Sequence, residues 1–293
     1  MLLLLAVSVS WGLFWPLTKF IFTEVPIFSF RALCGVAGGA ALLAIGWAAG
    51  QSLRLPRAEI LPVVVLGLLN TTGWLYFSAL AIVALGSGRA VLIAYTMPLW
   101  AFLLSLLFLG ERPNARRWLG LGLGLGGVMV LALEDVGRLL AHPLGSAASL
   151  LAALSWAAGA VWLKRRVWRS SEMALVGWQQ LFGGLPLALV ALLSELPDLR
   201  PISPAVTGAI LFNLSAGVVF GAWAWFRVVG LLPVTVASLG VLLVPVIGLL
   251  SSAVIVDETL GGHALAALAL IVAGVATVLP LPGLRSLRKL AGR

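Results

Sequence analysis

A chain of 293 residues that is 61% hydrophobic and 10% charged has too little charge to coat a soluble fold, where about 25% of residues are charged. Its mean hydropathy of +1.12 points to lipid as the solvent, and at about 20 residues per span the length provides roughly ten membrane helices with short loops. The net charge of +9 lies in short clusters between apolar runs, which fits cytoplasmic loops and anionic lipid rather than nucleic acid, and the single cysteine, Cys34, excludes an intramolecular disulfide.

Backbone groups in hydrocarbon need internal partners, so the apolar runs are helices or barrel strands. They are too long and too uniformly apolar for strands, which run about 10 residues and alternate. The first predicted span covers 2–22 and holds Trp11 and Trp15, one turn apart. Met1–Val9 has no basic leader and no small-residue cleavage pattern, so it reads as the start of this span and not as a signal peptide. Glu24 and Pro26 lead to the second span, 26–47, which carries Arg31. Arg54, Pro56 and Arg57 precede the third, 58–80, where Asn70, Trp74 and Phe77 share an α-helical face. The fourth, 85–108, places Tyr95 ahead of Pro98. After Glu111 to Arg117, the fifth span, 115–134, has Gly120, Gly122, Gly124, Gly126 and Gly127, with small-xxx-small spacings suited to close helix contact.

The segment from Glu134 to Pro143 joins the halves. The sixth span, 145–164, contains Trp156, and the basic run Lys164 to Arg169 precedes the seventh, 172–194. In the eighth, 204–227, Asn213, Gly217 and Phe220 form a face like that of the third. The ninth, 233–256, contains Pro245, and the tenth, 260–281, is again rich in small residues: Ala266, Ala269, Ala273 and Gly274. A basic tail, 285–293, follows.

With ten spans and both termini cytoplasmic, 14 of the 19 lysines and arginines fall on the cytoplasmic side, a strong positive-inside bias. Lys19, Arg31, Arg89, Arg138 and Arg200 fall outside. For the first three, structural anchoring is the expected role, with attraction of a substrate carboxylate as the alternative.

The chain also repeats itself. Pro98 and Pro245, Glu111 and Glu258, and Gly127 and Gly274 are each separated by 147 residues. Ser10-Trp11 and Ser155-Trp156 are separated by 145, as are Lys19 and Lys164, and Asn70 and Asn213 by 143. Constant spacing near half the chain indicates duplication. Five spans per unit is odd, so the second unit enters the membrane from the opposite face, and such inverted repeats hold a substrate site near the midplane. The expected fold is an all-α polytopic membrane protein of ten transmembrane helices in two inverted five-helix repeats, 1–142 and 143–284, followed by the tail.

Ser-Trp-Gly at 10–12, Pro26 with Arg31, Met97-Pro98, Leu109-Gly110-Glu111-Arg112, Val244-Pro245 and Asp257-Glu258 carry a resemblance to a known family. Proline and acid stand 13 residues apart in both halves. The pattern resembles the drug/metabolite transporter superfamily, and within it the ten-span exporters built from two EamA-type repeats. The tryptophan-rich spans are similar to those of its aromatic amino acid and paraquat exporters. Arg31 departs from the repeat, since Gln179 stands near its counterpart position. The resemblance implies export of amino acids or amphiphilic compounds across a bacterial inner membrane.

The candidate substrate-binding residues are Trp11, Trp15, Asn70, Trp74, Phe77, Tyr95, Trp156, Asn213 and Phe220. Aromatic walls suit a planar apolar group, and amides suit the ends of a zwitterion. The alternative for each aromatic is a place facing lipid or in an interfacial belt, where Trp118, Trp168 and Trp178 are expected. A buried amide facing lipid is costly, so the asparagines should face inward. Pro98 and Pro245 are expected to break helical hydrogen bonds near mid-membrane, as hinges or as static kinks. No Asp or Glu falls at mid-depth, which predicts that proton coupling is weak or absent, or runs through an end-of-helix group. The expected partners are a small molecule and the bilayer, with one chain sufficient and no cofactor, metal or nucleic acid. Drug or nucleotide-like metabolite carriage is the rival substrate reading. An intramembrane enzyme would need a nucleophile, metal ligands or an acid/base pair, and His-Glu-x-x-His and Walker-type signatures are absent.

Overall fold

The computed structural model describes residues 2–133, 136–195, 200–247 and 262–278. Eight helices there are long and apolar enough to cross a membrane. They are α1 (Leu2–Ile21), α2 (Ile27–Ala48), α3 (Arg57–Leu85), α4 (Ser87–Ala94 and Met97–Leu109), α5 (Ala115–Leu133), α6 (Pro143–Lys164), α7 (Glu172–Ser194) and α8 (Pro204–Leu231). Two more apolar helices follow, α9 (Val234–Ile247) and α10 (Gly262–Val278). A short helix, Val136–Ala141, lies in the segment expected to be a linker. The expected acids Asp257 and Glu258 and the basic tail lie outside the described residues.

The third span runs five residues past its expected end, to Leu85, because Gly86 makes the turn at φ +80° without charge or proline. The eighth likewise continues to Leu231. Both long spans are interrupted at corresponding places. A π-helical segment, Leu68–Gly73, lies within α3, and another, Asn213–Phe220, within α8. Such segments are rare and recur at functional sites.

The fourth and ninth spans share a different interruption. α4 stops at Ala94, turns through Tyr95-Thr96 and resumes at Met97. α9 stops at Gly240, turns through Val241-Leu242 and resumes over 243–247. Pro98 and Pro245 therefore stand in the first turn of a resumed helix, where no N–H is needed, rather than inside a continuous helix whose bonds they break. The discontinuity lies just ahead of each proline.

Equivalent helices of the two halves meet antiparallel. Along α2 and α7, Glu195 meets the start of α2, Gly184 meets Gly35, Gly177 meets Gly39, and Met173 meets Gly46. A Cβ on Gly184 would lie 2.7 Å from the Gly35 carbonyl carbon, so these backbones touch only because both residues are glycine. α5 and α10 pair in the same way, with Gly127 on Ala267 and Ile271, and Gly124 on Gly274. α1 crosses onto α8 of the other half, and α6 crosses onto α3. An antiparallel match between repeat-equivalent helices is an inverted repeat, and it gathers α1, α3, α6 and α8 around one central space.

Carboxylates tie the halves together at helix starts. Glu195 accepts from Phe28 N at 2.9 Å, Ser29 N at 2.6 Å and Ser29 Oγ at 2.9 Å. Glu59 accepts from Arg169 N at 2.6 Å, from Ser170 N at 3.2 Å, and from the Ser170 hydroxyl. Glu24 accepts from Ser203 N at 2.7 Å and Ser203 Oγ at 2.8 Å. Glu111 accepts from Val234 N at 3.0 Å and Thr235 Oγ1 at 2.9 Å. Each acid belongs to one half and satisfies orphan N–H groups at or just before a helix start in the other, where the helix dipole favours negative charge.

Candidate functional site

The repeated Ser-Trp pairs connect the crossing helices. A π segment leaves carbonyls without regular helical partners, and side chains of the opposite half take them up. Ser10 Oγ donates to the Ala216 carbonyl at 2.5 Å, and Trp11 Nε1 donates to the Gly217 carbonyl at 3.0 Å. Ser155 Oγ donates to the Leu69 carbonyl at 2.7 Å. Ser10 and Trp11 thus tie α1 to the π segment of α8, and Ser155 ties α6 to that of α3, while Trp156 packs on Trp225.

Between these helices lies a cavity of about 100 Å³, room for several water molecules or part of a small solute. Its wall includes Trp11, Trp15, Trp74, Trp156 and Trp225, with Phe14, Tyr95 and Phe226. The rings form two clusters, Trp11, Trp225 and Trp156 in one and Trp15, Trp74 and Tyr95 in the other. Trp156 and Trp225 lie 4.4 Å apart by centroids, Trp11 and Trp225 5.9 Å, Trp15 and Trp74 6.0 Å edge-on, and Trp15 and Tyr95 6.4 Å. Tyr95 and Met97 enter from the break in α4.

Asn70, Gln179 and Gln180 make the polar side of the wall. Gln179 Nε2 donates to Thr71 Oγ1 at 2.6 Å, and the Thr71 hydroxyl donates to Gln180 Oε1. Asn70 Oδ1, Gln179 Oε1 and Trp225 Nε1 are buried without partners among the described residues. Buried polar atoms are nearly always satisfied. All three belong to wall residues, but the atoms themselves are covered by protein, Asn70 Oδ1 against Gly159, so a ligand in the cavity reaches them only when these side chains turn.

The structure brings Trp11, Trp15, Asn70, Trp74, Tyr95 and Trp156 together on this wall. It places three other candidates elsewhere. Asn213 is fully buried against Thr18, to whose hydroxyl its Nδ2 donates at 3.3 Å. Phe77 packs edge-on against Tyr76, and Phe220 packs against Trp223. All three positions rest on α-helical spacing carried across a π segment. A π turn bonds i to i+5, so the face rotates: α3 presents Asn70, Trp74 and Leu75, and α8 presents Gly217, Val218, Ala222, Trp225 and Phe226. Trp225, Gln179, Gln180 and Phe14 belong to the wall but not to the expected set. The signal for Gln179 and Gln180 is two adjacent amides among apolar residues of the seventh span.

Of the expected belt residues, Trp178 Nε1 donates to the Leu53 carbonyl at 2.8 Å, Trp168 Nε1 donates to the Leu163 carbonyl at 2.9 Å, and Trp118 is half exposed beside Phe102.

A family model described as the EamA-like transporter family matches the chain twice, over residues 1–133 and 143–279. The chain is similar to a protein named "Probable amino-acid metabolite efflux pump" in Salmonella typhimurium, at 31% identity over 93% of this chain and 92% of that one. It is also similar to "Uncharacterized transporter YvbV" of Bacillus subtilis, at 27% identity over 94% and 90%. A solved crystal structure matches with a TM-score of 0.81 and 26% identity, covering 98% of this chain and 97% of that one.

Proposed function

Because the chain belongs to the EamA-like transporter family, and is a multi-pass membrane transporter of small molecules rather than an enzyme, we propose that it exports amphiphilic metabolites, aromatic and apolar amino acids foremost, by alternating access around the tryptophan cavity. The observation that carries this reading is the cavity itself, an aromatic cage at the seam of inverted halves with unpaired amide oxygens of Asn70 and Gln179. Aromatic walls hold a planar apolar body, and carbonyl acceptors hold the ammonium end of an amino acid. The relative named as an amino-acid metabolite efflux pump agrees with that substrate class. A planar cationic drug is the second reading, since tryptophan faces also attract cations.

The loop charges support an orientation with both termini cytoplasmic in the inner membrane, and one chain supplies a whole cavity, so a monomer suffices. The described acids stand at helix ends, away from the cavity, which favours facilitated flux over proton exchange. Counterflow in proteoliposomes with a panel of labelled amino acids and one planar cation tests the reading. Wild-type protein should carry at least one amino acid saturably, without an imposed pH gradient. Asn70→Ala and Trp74→Ala should each lose about tenfold, equivalent to about 1.4 kcal/mol of binding. Unchanged transport in both variants removes the proposed site, and flux that collapses without a pH gradient removes facilitated diffusion.

A further inference from the structure

Arg31 is only 1% exposed, in the first turns of α2. Its Nη2 donates to Ser78 Oγ at 3.4 Å, and its guanidinium carbon lies 5.7 Å from the Phe14 ring centroid and 5.4 Å from that of Phe22. Among the described residues, Nε and Nη1 have no partner and no carboxylate pairs with the group. An arginine keeps its charge in proteins, and burying such an ion without a counter-charge costs several kcal/mol. Two aromatic rings offset part of that cost but leave the free N–H donors unused. Inside a membrane helix, a buried cation of this kind marks function rather than architecture.

Its position connects it to the cavity. Cys34, one turn along α2, lines the wall, and so does Leu75, one turn before Ser78. Arg31 and its hydroxyl partner therefore lie one turn beyond the wall, and Phe14 stands between, lining the cavity and facing the guanidinium. The Phe14 ring fits where it does because residue 217 is glycine: a Cβ there would lie 3.1 Å from Phe14 Cε2. The repeat adds an independent point, since the counterpart region of α7 carries the neutral Gln179. A cation present in one half only is not required by the duplicated scaffold.

We propose that Arg31 is the carboxylate-binding residue for a zwitterionic substrate, reached from the tryptophan cavity when the Phe14 ring turns aside. The inference rests on the transporter reading and narrows its substrate class to compounds that bear a carboxylate. The apolar body stays in the cage, the ammonium group meets Asn70 Oδ1 and Gln179 Oε1, and the carboxylate accepts charge-assisted bonds from the guanidinium.

L-phenylalanine and phenethylamine differ only by the carboxylate and form the test pair. Thermal unfolding of the detergent-purified protein should rise with L-phenylalanine and much less with phenethylamine. Arg31→Gln should abolish the difference. Arg31→Lys, which keeps the charge and loses the planar fork, should weaken the apparent affinity for L-phenylalanine about tenfold, and it serves where the glutamine variant does not fold. Equal stabilisation of the wild type by both compounds, no stabilisation by L-phenylalanine, or an unchanged affinity in the variants overturns the proposal. Counterflow of the same pair separates the two readings. Wild-type transport of the amine but not the acid retains the carrier and removes the Arg31 site. Carboxylate-selective stabilisation without any counterflow retains the site and removes the carrier.

Discussion

At the scale of single residues, the described glutamates fall into two kinds. Glu24, Glu59, Glu111 and Glu195 each bind backbone N–H groups at a helix start of the opposite half. Glu172 instead pairs with Arg227 at 2.8 Å, with side chains 43% and 50% exposed. Glu195→Ala strands the Phe28 and Ser29 donors and should cost about 1–3 kcal/mol, while Glu172→Ala should cost no more than about 1 kcal/mol. Thermal unfolding in detergent will show a clear drop for the first and little change for the second; equal drops would mean that these carboxylates do not clamp the halves. In the sequence, Glu24 and Glu111 mark only the ends of apolar runs. The clamping role of the four acids is hidden there, because an N-cap partner that lies more than a hundred positions away leaves no local pattern. The Ser-Trp repeat was legible as a repeat, but its meaning depends on carbonyls freed in another helix.

At the scale of elements, the glycines separate into those that hold helices together and those that do not. Gly184 touches the backbone of Gly35 and Val36, whereas a Cβ on Gly122 would meet nothing within 4 Å. Gly184→Ala should destabilise by about 1–3 kcal/mol through overpacking, and Gly122→Ala should be neutral or gain up to about 1 kcal/mol from helix propensity. Relative melting temperatures of the two variants check this, and an innocuous Gly184→Ala would contradict close packing of α2 on α7. The small residues of the fifth and tenth spans are conspicuous in the sequence and suit the close contact between α5 and α10, while the pairing of α2 with α7 stands behind less conspicuous glycines. The π segments were invisible, because apolar periodicity carries no mark of one surplus residue per turn. That omission displaced Phe77, Asn213 and Phe220 from the wall where α-helical spacing had put them, and it hid Trp225.

At the scale of the whole molecule, the two halves share a plan but not a set of contacts. Lys164 Nζ donates to the carbonyls of Val229, Gly230 and Leu232 at 2.8, 3.1 and 3.2 Å, closing α6 onto the end of α8. Its counterpart Lys19 is exposed at the end of α1. Equivalent residues in unequal surroundings are what one state of an inverted-repeat carrier displays, the other state exchanging the two arrangements. The duplication itself was the most legible feature of the sequence, since offsets near 147 residues survive even where local structure is ambiguous. The proposed access to the cavity from both sides of the membrane builds on that duplication and is directly measurable. In a Cys34→Ser background, Ala222→Cys places one thiol on the cavity wall, to be labelled by a membrane-impermeant methanethiosulfonate in right-side-out and inside-out vesicles. Alternating access predicts labelling in both preparations and protection by a transported substrate; labelling from one side alone contradicts it.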